Sequence, residues 1–273
     1  MGQQVPQLRF GTARLASGPR VHYAEQGDPG GEPIVFLPAY TDSWFSYSRV
    51  LALLPVRYRV FAVDQRGHGD SERPACCYTV EDFAADVVAF LDAVGARRAT
   101  LVGHSGSCLV ARRVAEAHPE RVARLVLLGA PGSLGDNEEE LELQRAVDGL
   151  QDPVPVQFAR ELQGAAAHVP LPEPFFERLV AESLKLPARV WKSTLEGLFA
   201  FDDAAELGRI AAPTLLIWGE WDRWLPREEE DQLAVAIPRA RVVVYPATGH
   251  SPNWERPERV ADDLDAFMRE ARA

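Results

Sequence analysis

Lysine, cysteine and long apolar runs are all scarce in this chain of 273 residues. No stretch of about 18 apolar residues occurs, which argues against a membrane-spanning helix. The N-terminus has neither the basic region nor the apolar region of a secretory signal, so we expect a cytoplasmic protein. Lysine occurs only as Lys185 and Lys192, and the net charge is −11. An acidic chain without a run of basic residues is not expected to bind nucleic acid or an anionic membrane surface.

The three cysteines predict neither a redox motif nor a zinc site. Cys76 and Cys77 are neighbours that cannot easily bridge each other, and Cys108 lies elsewhere in the chain. No C-x-x-C spacing occurs. We therefore expect three unpaired thiols and no metal.

The composition is that of a globular protein with a substantial core, at 47% hydrophobic and 25% charged residues. Short apolar strands alternate with amphipathic helices up to residue 128, which predicts a parallel sheet with right-handed crossovers and helices on both faces. A hairpin is expected before it, at 12–16 and 20–26. The predicted parallel strands are 33–37, 58–63, 99–102, 124–128, 214–219 and 241–245. The predicted helices are 44–54, 79–94 (with Thr79 as its cap and Asp82 completing a capping box), 106–118, 175–186, 189–201, 227–237 and 256–273.

The alternation is interrupted between residues 133 and 207. Six prolines divide this stretch into short helical pieces, and the acidic run at 136–142 is typical of a solvated helix face. We interpret the stretch as a helical cap, or lid, inserted after the sixth strand. The expected division is a core of residues 1–132 and 208–273 with a cap of residues 133–207.

Ser105 has the sequence environment of a nucleophile elbow, a sharp turn between a buried strand and a helix. Gly103 and Ser107 flank it at the −2 and +2 positions, where larger side chains would collide in such a turn. The turn would lift the Ser105 hydroxyl to the carboxyl edge of the sheet. It would also leave the N–H of Gly106, at a helix N-terminus, free to donate to an anion.

A serine nucleophile needs a base, and that base needs an orienting acid. His250 is the candidate base among six histidines, because its loop follows the last strand and emerges at the same edge as Ser105. The loop after the preceding strand offers Glu220 and Asp222 as the acid, and we favour Asp222 because it lies further along the turn. Asp136 is a weaker rival, after the strand that follows the elbow helix.

Together these segments resemble the α/β-hydrolase superfamily over nearly the whole chain. The segments that carry the resemblance are GHSGS (103–107), DQRGHGDS (64–71), GEWD (219–222) and GHSP (249–252). The resemblance implies an eight-stranded, mostly parallel sheet and the chain order Ser105, Asp222, His250 for a catalytic triad. It further implies that the N–H groups of Gly106 and Tyr40 form the oxyanion hole, with no cofactor and no metal. With serine at position 105, the chain resembles the esterase, lactonase and C–C hydrolase branches of the superfamily.

Two positions depart from the family pattern. Pro38 and Ala39 stand where the family usually has His-Gly, and Ser107 replaces the last glycine of the elbow. Proline at 38 removes no donor from the oxyanion site, but alanine at 39 restricts the backbone conformations that aim the Tyr40 N–H. Ser107 is small enough for the turn but narrows the space beside the nucleophile.

The expected activity is hydrolysis of an ester or lactone of a small, largely apolar substrate. A C–C bond hydrolase, a cofactor-free perhydrolase or lyase, and a small-molecule receptor are the alternatives that the same residues allow. The overall charge disfavours an anionic substrate, although Arg66 or Arg223 could override that locally. We expect a monomer or a homodimer. The candidate substrate-binding residues are Trp44, His104, Trp191, Trp221 and Trp224.

Overall fold

The computed structural model describes residues 7–135 and 138–270, and its described part is built on one eight-stranded sheet. The strands are β1 Arg9–Arg14, β2 Arg20–Gly27, β3 Glu32–Leu37, β4 Tyr58–Val63, β5 Ala99–His104, β6 Val122–Leu128, β7 Thr214–Gly219 and β8 Ala240–Tyr245. Their order across the sheet is β1-β2-β4-β3-β5-β6-β7-β8. β1 and β2 are antiparallel to their neighbours, and β3 to β8 are mutually parallel.

The helices of the described residues cover both faces of this sheet. The α-helices are α1 Ser48–Leu51, α2 Val80–Ala93, α3 Ser107–Ala117, α4 Glu138–Asp148, α5 Val156–Ala165, α6 Glu173–Ser183, α7 Ala188–Phe199, α8 Arg227–Ala236, α9 Pro252–Glu255 and α10 Pro257–Arg269. Short 3₁₀ helices lie at Trp44–Tyr47, Pro119–Arg121 and Leu207–Arg209. Side chains of α2, α3 and α8 form one apolar cluster with the sheet, whereas α1 and α10 contribute to a second. The expected layered α/β architecture is confirmed.

Most of the predicted elements are found within a few residues of their expected bounds. Thr79 caps α2 with the expected capping box, in which its hydroxyl accepts from the Asp82 N–H and the Asp82 carboxylate accepts from the Thr79 N–H. The first strand begins earlier than expected, at Arg9, because β1 pairs with β2 from Arg9 opposite Glu25 to Arg14 opposite Arg20. The turn therefore falls on residues 15–19.

The predicted helix at 44–54 is instead a 3₁₀ turn followed by one turn of α-helix. The Ser43 hydroxyl accepts from the Phe45 N–H and starts the tighter turn, Trp44–Tyr47. The α-helical turn that follows ends at Leu51, and Pro55 then leads the chain toward β4. The expected helix was too long, because the 3₁₀ turn and the single α-helical turn already bury apolar residues of this segment.

Four helices, α4 to α7, lie between β6 and β7, so the helical insertion after the sixth strand is confirmed. Whether residues 133–207 behave as a separate cap stays a prediction. Glu138, Glu139 and Glu142 of the acidic run are exposed as expected, but Glu140 is buried and accepts a hydrogen bond from the Gly135 N–H at 2.7 Å. Asp136, the rival acid, lies outside the described residues.

The expectation of three unpaired thiols is wrong for two of them. The structure joins Cys76 and Cys77 in a disulfide, and Cys77 has a φ of 74°. This left-handed backbone conformation is the local distortion that accompanies a bridge between neighbours. Cys108 is a free, buried thiol, as expected. None of the helices that the structure describes has both the length and the apolar character needed to cross a bilayer.

Candidate active site

Ser105 lies in a strained turn between β5 and α3. Its φ is 53°, in the left-handed region that serine rarely adopts, and its N–H donates to the Leu128 carbonyl oxygen at 2.9 Å. A Cβ atom at Gly103 would lie only 2.7 Å from the Ser107 carbonyl oxygen. The predicted steric need for glycine two residues before Ser105 therefore has a direct cause, which is the close approach of the first turn of α3.

His250 and Asp222 are joined by a hydrogen bond between side chains. His250 Nδ1 lies 2.8 Å from Asp222 Oδ2. The other carboxylate oxygen, Oδ1, accepts from the backbone N–H groups of Trp224 at 2.8 Å and Leu225 at 3.1 Å. These bonds fix the Asp222 carboxylate in its own loop, so it holds the imidazole in one orientation.

The pKa of His250 is raised by its acidic neighbours. Burial, the largest single effect, disfavours the imidazolium, but the charge and hydrogen bond of Asp222 together with the charges of Glu255 and Asp42 outweigh it. The imidazolium form of His250 is thus favoured. A general base passes through this form when it accepts a proton.

A second carboxylate, that of Glu255, forms a hydrogen bond with the loop that carries His250. Glu255 Oε1 accepts from the Gly249 N–H at 2.9 Å, and Glu255 Oε2 accepts from the Val169 N–H at 2.9 Å. Gly249 directly precedes His250, while Val169 belongs to the stretch inserted between β6 and β7. The buried Glu255 carboxylate therefore ties the inserted stretch to the loop that carries His250.

The rival acid and the other histidines have different surroundings. Glu220 is exposed and accepts from the Ala247 N–H at 3.1 Å, so it supports the His250 loop from outside. His22 Nδ1 lies 2.8 Å from Asp64 Oδ2, and His68 Nδ1 lies 2.8 Å from the Arg66 carbonyl oxygen. His250 is thus the histidine that the structure places against Asp222.

The loop after β3 brings Tyr40 to the same cavity as Ser105, Gly106 and His250. The left-handed conformation in this loop falls on Thr41, with a φ of 65°, and not on Ala39. Alanine in place of the family's glycine is therefore compatible with the backbone found here. Gly106 lies at the N-terminus of α3, where backbone N–H groups are not used by the helix itself.

Ser107 connects α3 to residues 38–42, the loop after β3. We call this loop the oxyanion loop, after the role expected of the Tyr40 N–H. Its hydroxyl donates to the Pro38 carbonyl oxygen at 2.5 Å and accepts from Gln65 Nε2 at 2.8 Å. Gln65 Nε2 also donates to the Pro38 carbonyl oxygen, at 3.1 Å. The serine that replaces the family's last glycine thus anchors the segment that leads into Tyr40.

The cavity over Ser105 is largely apolar, and side chains from the inserted helices form part of its lining. Its remaining lining residues are Ala39, Asp42, His104, Pro131, Leu134, Glu140, Leu143, Leu162, Gln163, Ala166, Leu195, Leu198, Phe199, Trp224, Leu225 and Trp254. Such a cavity suits a small, mainly apolar ligand.

Of the five candidate substrate-binding residues, His104 and Trp224 line this cavity. His104 Nε2 lies 3.1 Å from the His250 carbonyl oxygen, and burial lowers its pKa to about 3, so the ring is neutral. The structure places the other three outside the lining. Trp44 packs against Phe10, Trp191 packs against Tyr40, and Trp221 is half exposed against His168.

Sequence reasoning assigned no role to two polar residues in the cavity wall. Asp42 lies in the oxyanion loop two residues after Tyr40, and this proximity was an available signal. Gln163 lies on α5 without any motif around it, and only the tertiary structure brings its Nε2 to 3.1 Å from Asp42 Oδ1.

One group of side chains among the described residues has the spacing of metal ligands. It consists of His22, Asp64 and Asp70. The Asp64 carboxylate already accepts from the N–H groups of Trp44 and Asp70 and contacts His22, and Asp70 forms an ion pair with Lys185 at 2.9 Å. Hydrogen bonds and the ion pair account for this cluster, which lies apart from the cavity lining.

Comparison with known proteins agrees with the fold. The family described as "alpha/beta hydrolase fold" matches residues 32–257. The chain therefore belongs to the α/β-hydrolase family. A non-heme chloroperoxidase of Streptomyces lividans is 31% identical over 95% of this chain and 100% of its own length.

Two further similar proteins have names that indicate other activities. A 2-hydroxy-6-oxononadienedioate/2-hydroxy-6-oxononatrienedioate hydrolase of Burkholderia vietnamiensis is 32% identical over 92% of this chain and 91% of its own. The crystal structure of an esterase from Rhodococcus sp. has a TM-score of 0.84 and 27% identity, covering 96% of this chain and 98% of that one. The family thus includes relatives that are named as a chloroperoxidase, an oxononadienedioate hydrolase and an esterase.

Proposed function

We propose that this protein is a serine hydrolase that cleaves an ester or lactone of a small, largely apolar substrate. The observation that carries the proposal is the hydrogen bond between Asp222 and His250 at the wall of the cavity that also holds the strained Ser105. A nucleophile, a base and an orienting acid in this relation activate a hydroxyl group.

In the first half of the reaction, Ser105 Oγ attacks the carbonyl carbon of the substrate while His250 Nε2 takes its proton. The backbone N–H groups of Tyr40 and Gly106 donate to the resulting oxyanion, and each such donor typically stabilises the transition state by about 3 kcal/mol. When the tetrahedral intermediate collapses, the C–O bond breaks and His250 protonates the leaving alkoxide. An acyl-enzyme on Ser105 is left.

In the second half, His250 takes a proton from water, and the hydroxide attacks the acyl carbonyl. Collapse of this intermediate returns the proton to Ser105 and releases the carboxylic acid. Asp222 stays ionised throughout, because it keeps the imidazole in the right tautomer and stabilises the imidazolium. No cofactor takes part in these steps.

The inserted helices act in this proposal as a cap, residues 133–207, over a core of residues 1–132 and 208–273. Leu143, Leu162, Leu195 and Leu198 supply the apolar roof of the cavity. Excluding water there strengthens the electrostatic interactions around Ser105 and favours apolar acyl groups.

The test is hydrolysis of short- and medium-chain p-nitrophenyl esters by the wild type and by Ser105→Ala, with Ser48→Ala as a matched control. We expect steady turnover in the wild type and the control, and loss of turnover in Ser105→Ala. A fluorophosphonate probe should label Ser105, as mapped by mass spectrometry.

The other outcomes of this test separate the alternatives. Labelling of Ser105 without turnover of any ester would favour a receptor, or the C–C hydrolase, perhydrolase or lyase reactions that use the same residues. If neither labelling nor turnover is observed, the three residues do not form a working triad.

A further inference from the structure

The charge of the cavity wall is one-sided. Asp42 and Glu140 line the cavity, whereas no lysine or arginine is found among its lining residues within the described parts of the chain. The two carboxyl groups come from different elements, the oxyanion loop and α4. A ligand in this cavity therefore meets acidic side chains that no lysine or arginine of the described lining offsets.

The arginines close to the site in sequence are already engaged elsewhere. Arg66 binds both carboxylate oxygens of Asp86, at 2.6 and 2.7 Å, and Arg112 binds both carboxylate oxygens of Asp203, at 2.8 Å each. Arg223 is exposed and does not line the cavity. Neither Arg66 nor Arg223 therefore places a positive charge at the cavity wall that would offset the overall negative charge.

Asp42 is held rigidly beside the proposed catalytic residues. It follows the left-handed Thr41, its N–H donates to the Ala39 carbonyl oxygen at 3.0 Å, and its side chain is 2% exposed. Gln163 Nε2 donates to its Oδ1 at 3.1 Å. Its charge contributes to the raised pKa of His250, so the field of Asp42 reaches the reacting centre.

We propose that Asp42 is a specificity-determining residue that excludes carboxylate-bearing substrates from the cavity, so that the enzyme takes uncharged esters. This inference rests on the proposed ester hydrolysis and narrows its substrate class. A carboxylate that enters the cavity loses its hydration, finds no lysine or arginine among the described lining residues and meets a charge of the same sign. The Burkholderia relative, by contrast, is named for a dioate, a substrate with two carboxylates.

The experiment compares p-nitrophenyl valerate with mono-p-nitrophenyl glutarate, which has the same chain length but ends in a carboxylate. The measured quantity is the ratio of the two kcat/KM values at pH 8, after subtraction of the uncatalysed rates. We expect the wild type to favour valerate by about 100-fold and Asp42→Asn to lower this ratio by about 10-fold or more, as removal of one like charge in a poorly hydrated site should do. Asparagine keeps the oxygen that accepts from Gln163.

Glu258→Gln is the matched control, because it removes the same charge from an exposed position on α10. Its ratio should equal that of the wild type. Equal ratios in all three proteins would overturn the role of Asp42 while leaving ester hydrolysis intact. Failure of the wild type to hydrolyse valerate would overturn the proposed function, and this inference with it.

A second measurement follows the same ratio of kcat/KM values as the pH changes. Burial raises the pKa of Asp42 to about 7, against the effects of Gln163, the Ser46 hydroxyl and His250, and with that of Glu182. The glutarate carboxyl stays ionised above pH 6, since ordinary carboxyl pKa values are about 4. The wild-type preference for valerate should therefore increase between pH 6 and pH 8. His250, whose pKa is also raised, loses positive charge as the pH rises, so the increase should be smaller in Asp42→Asn, and an equal increase in the two proteins would contradict the proposal.

Discussion

At the scale of single residues, His250 lies in a field made by three carboxylates. Asp222 contacts its ring, and Glu255 and Asp42 act from further away. All three stabilise the imidazolium more than burial destabilises it. The consequence is a base whose pKa is above its ordinary value of 6.5.

The acid limb of the pH–activity profile reports this shift. His250 must be neutral to take the Ser105 proton, so we expect kcat/KM to fall as the pH decreases through a pKa above 6.5. The measurement is kcat/KM for an uncharged p-nitrophenyl ester between pH 5 and pH 9. An acid limb centred below 6.5 would be inconsistent with the field described for His250.

Asp222 and Glu220 allow a matched pair of variants on one loop. In Asp222→Asn, the amide cannot stabilise the imidazolium or hold its tautomer, and kcat should fall by about 10⁴-fold, the loss known for the equivalent change in a serine protease. Glu220→Gln removes an exposed carboxylate from the same turn, and its kcat should stay within about threefold of the wild type. A larger loss in Glu220→Gln than in Asp222→Asn would assign the acid to Glu220.

At the scale of elements, Ser107 joins α3 to the loop after β3. Glycine at this position would satisfy the turn but would leave the Pro38 carbonyl oxygen with Gln65 alone. The departure from the family pattern therefore has a structural role. The Ser107 hydroxyl holds the Pro38 carbonyl oxygen, in the loop that contains proline and alanine where the family has His-Gly.

Ser107→Ala should weaken this connection without changing the turn. Two buried hydrogen bonds are lost, each worth about 1 kcal/mol, so the free energy of unfolding should fall by about 1–2 kcal/mol. Because the loop carries Tyr40, kcat should also fall, by up to about 10-fold, with KM nearly unchanged. Urea unfolding and steady-state kinetics test both effects, and a loss of stability with kcat unchanged would limit Ser107 to a structural role.

At the scale of the whole molecule, the net charge of −11 coexists with acidic side chains buried in the interior. Glu230 on α8 is fully buried, and its Oε1 accepts from the Ala130 N–H at 2.8 Å. Burial raises its pKa to about 8 from an ordinary value of 4.5. Between these values the folded protein holds a proton that the unfolded chain has released.

The contribution of Glu230 to the stability of the protein should therefore fall as the pH rises from about 5 to 8. Glu230 alone contributes a slope of up to about 1.4 kcal/mol per pH unit, because folding takes up one proton at this site. Glu230→Gln keeps the acceptor for Ala130 but does not titrate, so its free energy of unfolding should depend less on pH and be higher at pH 8. Urea unfolding at several pH values measures the slope, and Glu258→Gln should keep the slope of the wild type. An equal slope in Glu230→Gln would contradict the assigned protonation.

The cytoplasmic location, the monomeric or dimeric state and the lack of nucleic-acid or membrane partners stay predictions at this scale. The location and the lack of membrane partners were inferred from the N-terminal sequence and the scarcity of long apolar runs, and the lack of nucleic-acid partners was inferred from the net charge.

The sequence by itself determined the alternation of strands and helices, the inserted stretch and the loops that carry Ser105, Asp222 and His250. Those features depend on local rules, since apolar periodicity, glycine sterics and capping act over a few residues. The position of a loop in strand order also decides its edge of the sheet, so the three residues could be expected to meet.

Only the tertiary structure decided which side chains face the cavity and with what charge. Trp191 and Trp44 could not be separated from Trp224 by sequence, because an aromatic residue on a cap or loop can pack inward or outward with equal local propensity. Asp42 and Gln163 lie 121 positions apart, and their contact depends on how α5 packs over the oxyanion loop. Packing between distant segments, which no local pattern encodes, selects the residues that line the site.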